Sequence, residues 1–216
     1  MGGGGGFYID VGANDPSNIS VTKFFYDRGW HGINVEPLAD KCAALMEMRP
    51  RDINLCIGLG KERDKLTLFE EDLMSTFAMD NVERRNMQSR TQRVTPIFTL
   101  SEIYERYCEH GQEVHFCKID VEGYEREVLE GIKDWQKFRP WIFAIEATLP
   151  GTAIPCHDKW ESILLDNDYV LGFAFGINRY YIDTEKAYLA LGFQKINQFV
   201  AQNEIYQMRM QRVTFR

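Results

Sequence analysis

The sequence predicts an α/β domain of Rossmann-like layout, a mainly parallel sheet covered by helices. Three observations carry that expectation. Short apolar, β-rich runs alternate with stretches of helical spacing along most of the chain. Several of those runs stop at a glycine turn or a carboxylate, as strands do when a loop and helix follow. The stretch from Tyr169 to Ile182 alternates apolar and polar positions around Gly176, which reads as a closing antiparallel hairpin. At 216 residues, the chain suits one such domain better than two.

Taken in order, Phe7 to Val11 is the first strand, ended by Gly12. Ser20 to Arg28 has helical spacing, with Val21, Phe24 and Phe25 on one face and Gly29 as its C-cap. Gly32 to Val35 is the second strand, closed by Glu36-Pro37, and Asp40 to Met48 is a helix that stops before Pro50. Ile53 to Ile57 is the third strand, and Leu66 to Phe69 an extra short one. Residues 70–93 are polar and weakly periodic and read as a loop or lid. Thr99-Leu100-Ser101-Glu102 is a capping box opening a helix to about Cys108. Val114 to Ile119 is the fourth strand, Tyr124 to Glu130 the next helix, Trp141 to Ile145 the fifth strand, and Lys159 to Leu165 an amphipathic helix. The last 30 or so residues give no assignable pattern.

Composition narrows the function classes. A formal charge of −7 argues against a sequence-independent nucleic-acid binder, which needs a basic stripe to replace counterions. No apolar run is long enough to span a bilayer. The five cysteines, Cys42, Cys56, Cys108, Cys117 and Cys156, form no CxxC pair, so neither a disulfide framework nor a zinc knuckle is expected, and a reduced, cytoplasmic setting fits. Cys56 and Cys117 sit in apolar runs and read as core residues. Residues 1–6, a methionine and five glycines, read as a flexible linker or cloning remnant, leaving residues 7–216 as the domain.

In an open parallel sheet the ligand sits outside the carboxyl ends of the strands, where strand order reverses. The residues at those ends are Asp10 to Asn14, Glu36, Gly58, Asp120 to Gly123, and Glu146. Gly12, with Ala13 and Asn14 after it, permits a sharp turn and close approach to a ligand, while the acid at Asp10 suits a cationic group. S-adenosylmethionine carries an ammonium and a sulfonium, whereas NAD brings a pyrophosphate, and the full GxGxxG pattern is missing. A plain tight turn would also explain this segment. Glu36 is placed to bind ribose hydroxyls, or is a solvated glutamate before a proline turn. Asp120 and Glu122 can face a methyl donor, orient a hydroxyl or bind a divalent ion, while Glu125 and Glu127 serve the helix dipole.

Three blocks, residues 7–15 (FYIDVGAND), 29–37 (GWHGINVEP) and 118–125 (KIDVEGYE), resemble the FkbM-type methyltransferases in order and spacing over roughly residues 7–182. A weaker likeness runs through residues 154–161 and 176–181. The resemblance implies a class I methyltransferase fold with a seven-stranded sheet, S-adenosylmethionine as donor, and O-methylation of a hydroxyl. Sugars of a glycan or polysaccharide, or polyketide products, are the acceptors it implies. It maps Asp10 to Asn14 and Glu36 to cofactor binding. Asp15-Pro16 departs from the family pattern, where many relatives have glycine, and stiffens the turn after Asn14.

A sugar hydroxyl is a poor nucleophile and needs a base or a metal. His157, shortly after the fifth strand, is the base candidate, or else a surface residue at a helix start. Asp120, Glu122 and Glu146 are oxygen ligands for a possible Mg²⁺. Glu146, Asn178 and Arg179 are candidate acceptor contacts, and Gly58, Ser75 and Thr76 candidate contacts to the adenosine. The competing readings are a NAD-type oxidoreductase and a non-catalytic module that keeps the fold. Nothing in the sequence reads out oligomeric state.

Overall fold

The computed structural model describes residues 5–71 and 75–202. Most of the expected linker, residues 1–4, and the end of the chain beyond residue 202 lie outside the described residues. Gly6, inside that expected linker, already accepts a hydrogen bond from the His31 amide at 3.3 Å.

The strands are β1 (Phe7–Val11), β2 (His31–Val35), β3 (Ile53–Leu55), β4 (Gly58–Leu59), β5 (Asp64–Phe69), β6 (Gln92–Phe98), β7 (Phe116–Ile119), β8 (Ile142–Glu146), β9 (Tyr169–Phe175) and β10 (Asn178–Asp183). The helices are α1 (Lys23–Tyr26), α2 (Ala39–Met48), α3 (Met79–Arg84), α4 (Leu100–Tyr107), α5 (Glu125–Glu130), α6 (Glu161–Leu165) and α7 (Ala190–Gln202). Seven strands form one sheet in the order β3-β2-β1-β7-β8-β10-β9. The pairs from β3 to β8 are parallel, and β10 runs antiparallel to both β8 and β9. This is the expected mainly parallel sheet closed by a hairpin.

The central strands carry near-continuous apolar runs because both of their faces are covered. On one face Ile9, Ile33, Cys117, Phe143 and Ile145 pack with helix residues such as Leu100, Ile103, Val128, Leu129 and Leu164. On the other, Tyr8, Phe116 and Ala144 meet Phe25, Tyr26 and Trp30. The capping box forms as expected: the Thr99 side chain accepts from the Glu102 amide, and the Glu102 side chain accepts from the Thr99 amide.

Four departures from the sequence reading have physical causes. The helix expected over 20–28 is one turn, Lys23–Tyr26, because Ser20 and Thr22 are engaged as acceptors for a buried arginine, Arg49. The segment 70–93 is not all loop: it holds α3, a 3-10 turn at Met87–Ser89 and the start of β6. A second sheet, β4-β6-β5, was hidden because Pro96 breaks the strand pattern. Pro96 is tolerated because β4 pairs only with Ile97 and Phe98, which leaves β6 uncovered on that side at the proline. Finally, Cys42 and Cys56 form a disulfide, with Cα atoms 5.6 Å apart, where none was expected. The two lie 14 residues apart in sequence and meet because α2 packs beside β3. Disulfides persist mainly in oxidising compartments, so this bridge weighs against the reduced setting suggested by the cysteine spacing. Cys117 is buried and free, as its apolar run implied.

Candidate active site

Strand order reverses between β1 and β7, so their carboxyl ends diverge and leave a crevice. A cleft of about 250 Å³ opens there. Its wall brings together Asp10, Gly12, Ala13, Asn14, Glu36, Gly58, Ser75, Asp120, Glu122 and Glu146, residues spread over more than 130 positions of sequence.

The floor is the turn after β1. Gly12 has φ of +76°, and a Cβ there would lie 1.9 Å from the Asp120 carbonyl oxygen. Only glycine lets β1 and the loop after β7 come this close. Asn14 is also left-handed, with φ of +48°, and its amide donates to Glu36 Oε2 at 2.8 Å. The Leu38 amide donates to Glu36 Oε1 at the same distance. Glu36 therefore braces two loops while facing the cleft. Burial pushes its carboxyl above the usual range, and the two amide bonds pull the other way.

Asp10 is buried at the end of β1. Its Oδ2 accepts from Thr22 Oγ1 at 2.5 Å, and Thr22 in turn accepts from Arg49 Nη1 at 2.7 Å. Arg49 is 1% exposed and also donates to the Pro16 carbonyl and the Ser20 hydroxyl, tying the loop before α1 to the end of α2. Asp10 Oδ1 and Asn14 Oδ1 remain buried without hydrogen-bond partners. Lys118, beside Asp10 in the β1–β7 register, donates to the Gly12 carbonyl at 2.9 Å. Its ammonium lies 3.4 Å from Asp10 Oδ1 and 3.3 Å from Asp120 Oδ2.

At the mouth, Asp120, Glu122 and Glu146 each place a carboxylate oxygen within 4.8 Å of the others. Burial and the nearby Asp120 charge push Glu122 up to about 8. Burial, followed by the charges of Asp120, Glu122 and Glu125, pushes Glu146 up to about 11. Like charges this close disfavour full ionisation, so the cluster holds protons at neutral pH. Glu122 adopts a left-handed φ of +55°, and its carbonyl accepts from Thr76 Oγ1 at 2.8 Å and Asn81 Nδ2 at 3.0 Å. The segment read as a lid thus fastens the turn that carries Glu122, with Ser75 and Phe77 lining the cleft beside it.

Four site candidates lie off this wall, one of them Thr76, which is buried with its hydroxyl on the Glu122 carbonyl. His157 sits in a 3-10 turn with Nε2 4.0 Å from Glu161 Oε2. Arg179 is committed to the same carboxylate, 2.8 Å from Glu161 Oε1. Asn178 is paired beside Glu146 across the β8–β10 ladder, while the neighbouring Ile177 is the hairpin residue that reaches the cleft. Short spacing after a strand does not establish which way the chain turns, and here the 3-10 turn leaves His157 outside the cleft lining. Sequence reasoning missed Thr22, Arg49 and Lys118. Lys118 stood inside the 118–125 block, one residue from an expected strand end, so its position was the available signal; Thr22 and Arg49 offered none.

Residues 10–171 match the family model described as the Methyltransferase FkbM domain. No curated protein matches the chain. Among solved structures, the crystal structure of methyltransferase FkbM from Methylobacillus flagellatus KT is similar in fold, with a TM-score of 0.52 at 16% identity. The likeness covers 82% of this chain but 43% of that one, so this chain spans less than half the length of that protein.

Proposed function

The chain belongs to the family of FkbM methyltransferase domains, and from that premise we propose that it is an S-adenosylmethionine-dependent O-methyltransferase acting on a sugar hydroxyl of a glycan or polysaccharide. The observation that carries the cofactor part is the cleft at the β1/β7 reversal, walled by the Gly12 turn and by carboxylates. The residues fit the donor: Asn14 Oδ1 is a buried oxygen without a hydrogen-bond partner, and Asp10 Oδ1 has the Lys118 ammonium at 3.4 Å but no hydrogen bond, so an ammonium or hydroxyl can satisfy both. When bound, the donor supplies the methyl group. Asp10 would face its cationic part, Glu36 and Asn14 would take its hydroxyls, and Ile57, Gly58 and Phe77 would give the apolar wall for the adenine.

Displacement at a methyl carbon needs chiefly alignment of the acceptor oxygen and removal of its proton. Glu122 serves as the proton acceptor in this reading, since it faces the cleft and, held near 8, its ionised fraction grows as pH rises above neutral. Glu146 positions the hydroxyl. His157 becomes the alternative base, because Glu161 and not the cleft is its neighbour. The glycan acceptor, rather than a polyketide or other small molecule, rests on family likeness; the cytoplasmic location rests on the cysteine spacing, and the Cys42–Cys56 bridge counts against it.

The test is calorimetric titration with S-adenosylhomocysteine. Binding should be saturable, and Asp10→Ala or Glu36→Ala should weaken it at least about tenfold, the scale of one lost charged contact. Absence of heat with the intact protein, together with saturable NADH binding, would turn the reading to an oxidoreductase.

A second reading adds a divalent cation held by Asp120, Glu122 and Glu146. The observation favouring it is that Glu122 Oε2 and Glu146 Oε2 are buried without partners inside a three-carboxylate set, and an all-oxygen set suits Mg²⁺. Turnover lost in EDTA and restored by Mg²⁺ would place it ahead of the metal-free reading; turnover indifferent to EDTA would remove it.

A further inference from the structure

Among the described residues Lys118 is the cationic side chain that lines the cleft, and the reading above gives it no task. It projects from β7, a central strand of the sheet, and its side chain is only 10% exposed. An ammonium has three N–H groups. Three oxygens surround this one: the Gly12 carbonyl at 2.9 Å, Asp10 Oδ1 at 3.4 Å and Asp120 Oδ2 at 3.3 Å. One side chain therefore joins the glycine turn after β1 to the acids at the ends of both strands. A buried ammonium is costly unless paired, and both partner carboxylates would repel each other without it.

The charge count is also informative. The Asp10–Lys118–Asp120 group carries two carboxylates against one ammonium, a sum of −1 when all three are ionised, and Glu36, Glu122 and Glu146 line the same cleft. S-adenosylmethionine, with ammonium, sulfonium and carboxylate, has a net charge of +1. S-adenosylhomocysteine, lacking the sulfonium charge, is neutral overall. Resting on the cofactor reading above, we propose that Lys118 is a positioning residue with two effects. It holds the Gly12 turn against the strand-end acids, and it offsets part of the charge of Asp10 and Asp120, which sets how strongly the cleft prefers the cationic donor over the neutral product.

A merely structural lysine would weaken both ligands alike when replaced. A charge-setting lysine changes their ratio. Lys118→Met and Lys118→Gln leave two uncompensated carboxylates, so affinity for both ligands falls as the turn loosens, while the preference for S-adenosylmethionine over S-adenosylhomocysteine rises by about threefold or more. Lys118→Arg keeps the charge and should keep the ratio. Both ligands are titrated calorimetrically into wild type and variants, with circular dichroism confirming the fold. Should neither neutral variant fold, Asp120→Asn with Lys118 intact reads the same balance, and its preference for S-adenosylmethionine should fall. An unchanged ratio in the folded neutral variants, or in Asp120→Asn, overturns the proposal. Wild-type protein that binds neither ligand overturns the cofactor reading itself, a separate outcome.

Discussion

Glu125 offers a direct reading of what the acidic turn costs the fold. The residue opens α5 and is 2% exposed, with its Oε1 accepting from the Val121 and Gly123 amides at 3.2 and 3.0 Å. Burial, against those amide bonds, pushes its carboxyl up to about 7 from an ordinary 4.5. In the unfolded chain it ionises near 4.5, while in the fold it keeps its proton to about 7. Between those values the folded state binds more protons, so stability falls as pH rises and levels off above 7. At about 1.4 kcal/mol per pKa unit, the ionised carboxylate costs the fold about 3 kcal/mol by pH 8. Glu125→Gln keeps a carbonyl that can accept both amide bonds and has no charge to desolvate. Its unfolding free energy relative to wild type should therefore rise with pH, by about 3 kcal/mol between pH 4.5 and 8. Urea unfolding of both proteins at several pH values measures that difference directly, and the difference cancels the titration of groups that do not interact with Glu125. A difference independent of pH would refute the claim that burial holds this carboxyl protonated.

Other perturbations test other parts of the structure. Gly12→Ala forces a left-handed alanine, costing about 1–2 kcal/mol, and pushes a methyl onto the Asp120 carbonyl, so β1 and the β7 loop must part; S-adenosylhomocysteine affinity measured by calorimetry should fall at least about tenfold while the protein still folds. Reducing the Cys42–Cys56 bridge, or replacing both residues with alanine, frees a loop of roughly 15 residues worth about 3 kcal/mol; at 2–4 °C per kcal/mol the melting temperature in scanning calorimetry should drop by about 6 °C or more. Glu122→Gln should retain cofactor binding and lose most turnover with labelled donor and a glycan acceptor, whereas His157→Ala should retain both; the reverse pattern would return the base to His157.

The strands and their ends were legible because each is a local pattern. Phe7 to Val11, Gly32 to Val35 and Val114 to Ile119 are apolar runs bounded by turn residues, and the structure places strands on all three. Nine of the residues that line the cleft, from Asp10 to Glu146, were legible for a related reason: topology brings strand ends together once strand order reverses, so naming the ends names that part of the wall. The second sheet was not legible, since Pro96 and the exposed Val94 disguise β6 as loop. Nor was the outward turn of His157, which depends on where Glu161, Arg179 and Tyr181 meet.

By itself, then, the sequence determined the order of the strands of the main sheet, the glycine that the β1 turn requires, and the acids that end up around one cleft. These follow from short-range chemistry: periodicity of apolar residues, the freedom of Gly12 at positive φ, and strand length. Tertiary structure alone decided how those groups are charged and held. Lys118 finds Asp120 two residues away but Asp10 and Gly12 more than 100 residues away, and Arg49 reaches Asp10 only through Thr22. The Cys42–Cys56 bridge likewise exists because α2 lies against β3. Ionic partners, desolvation and disulfides depend on distances in space, and those distances are set only when the sheet has closed.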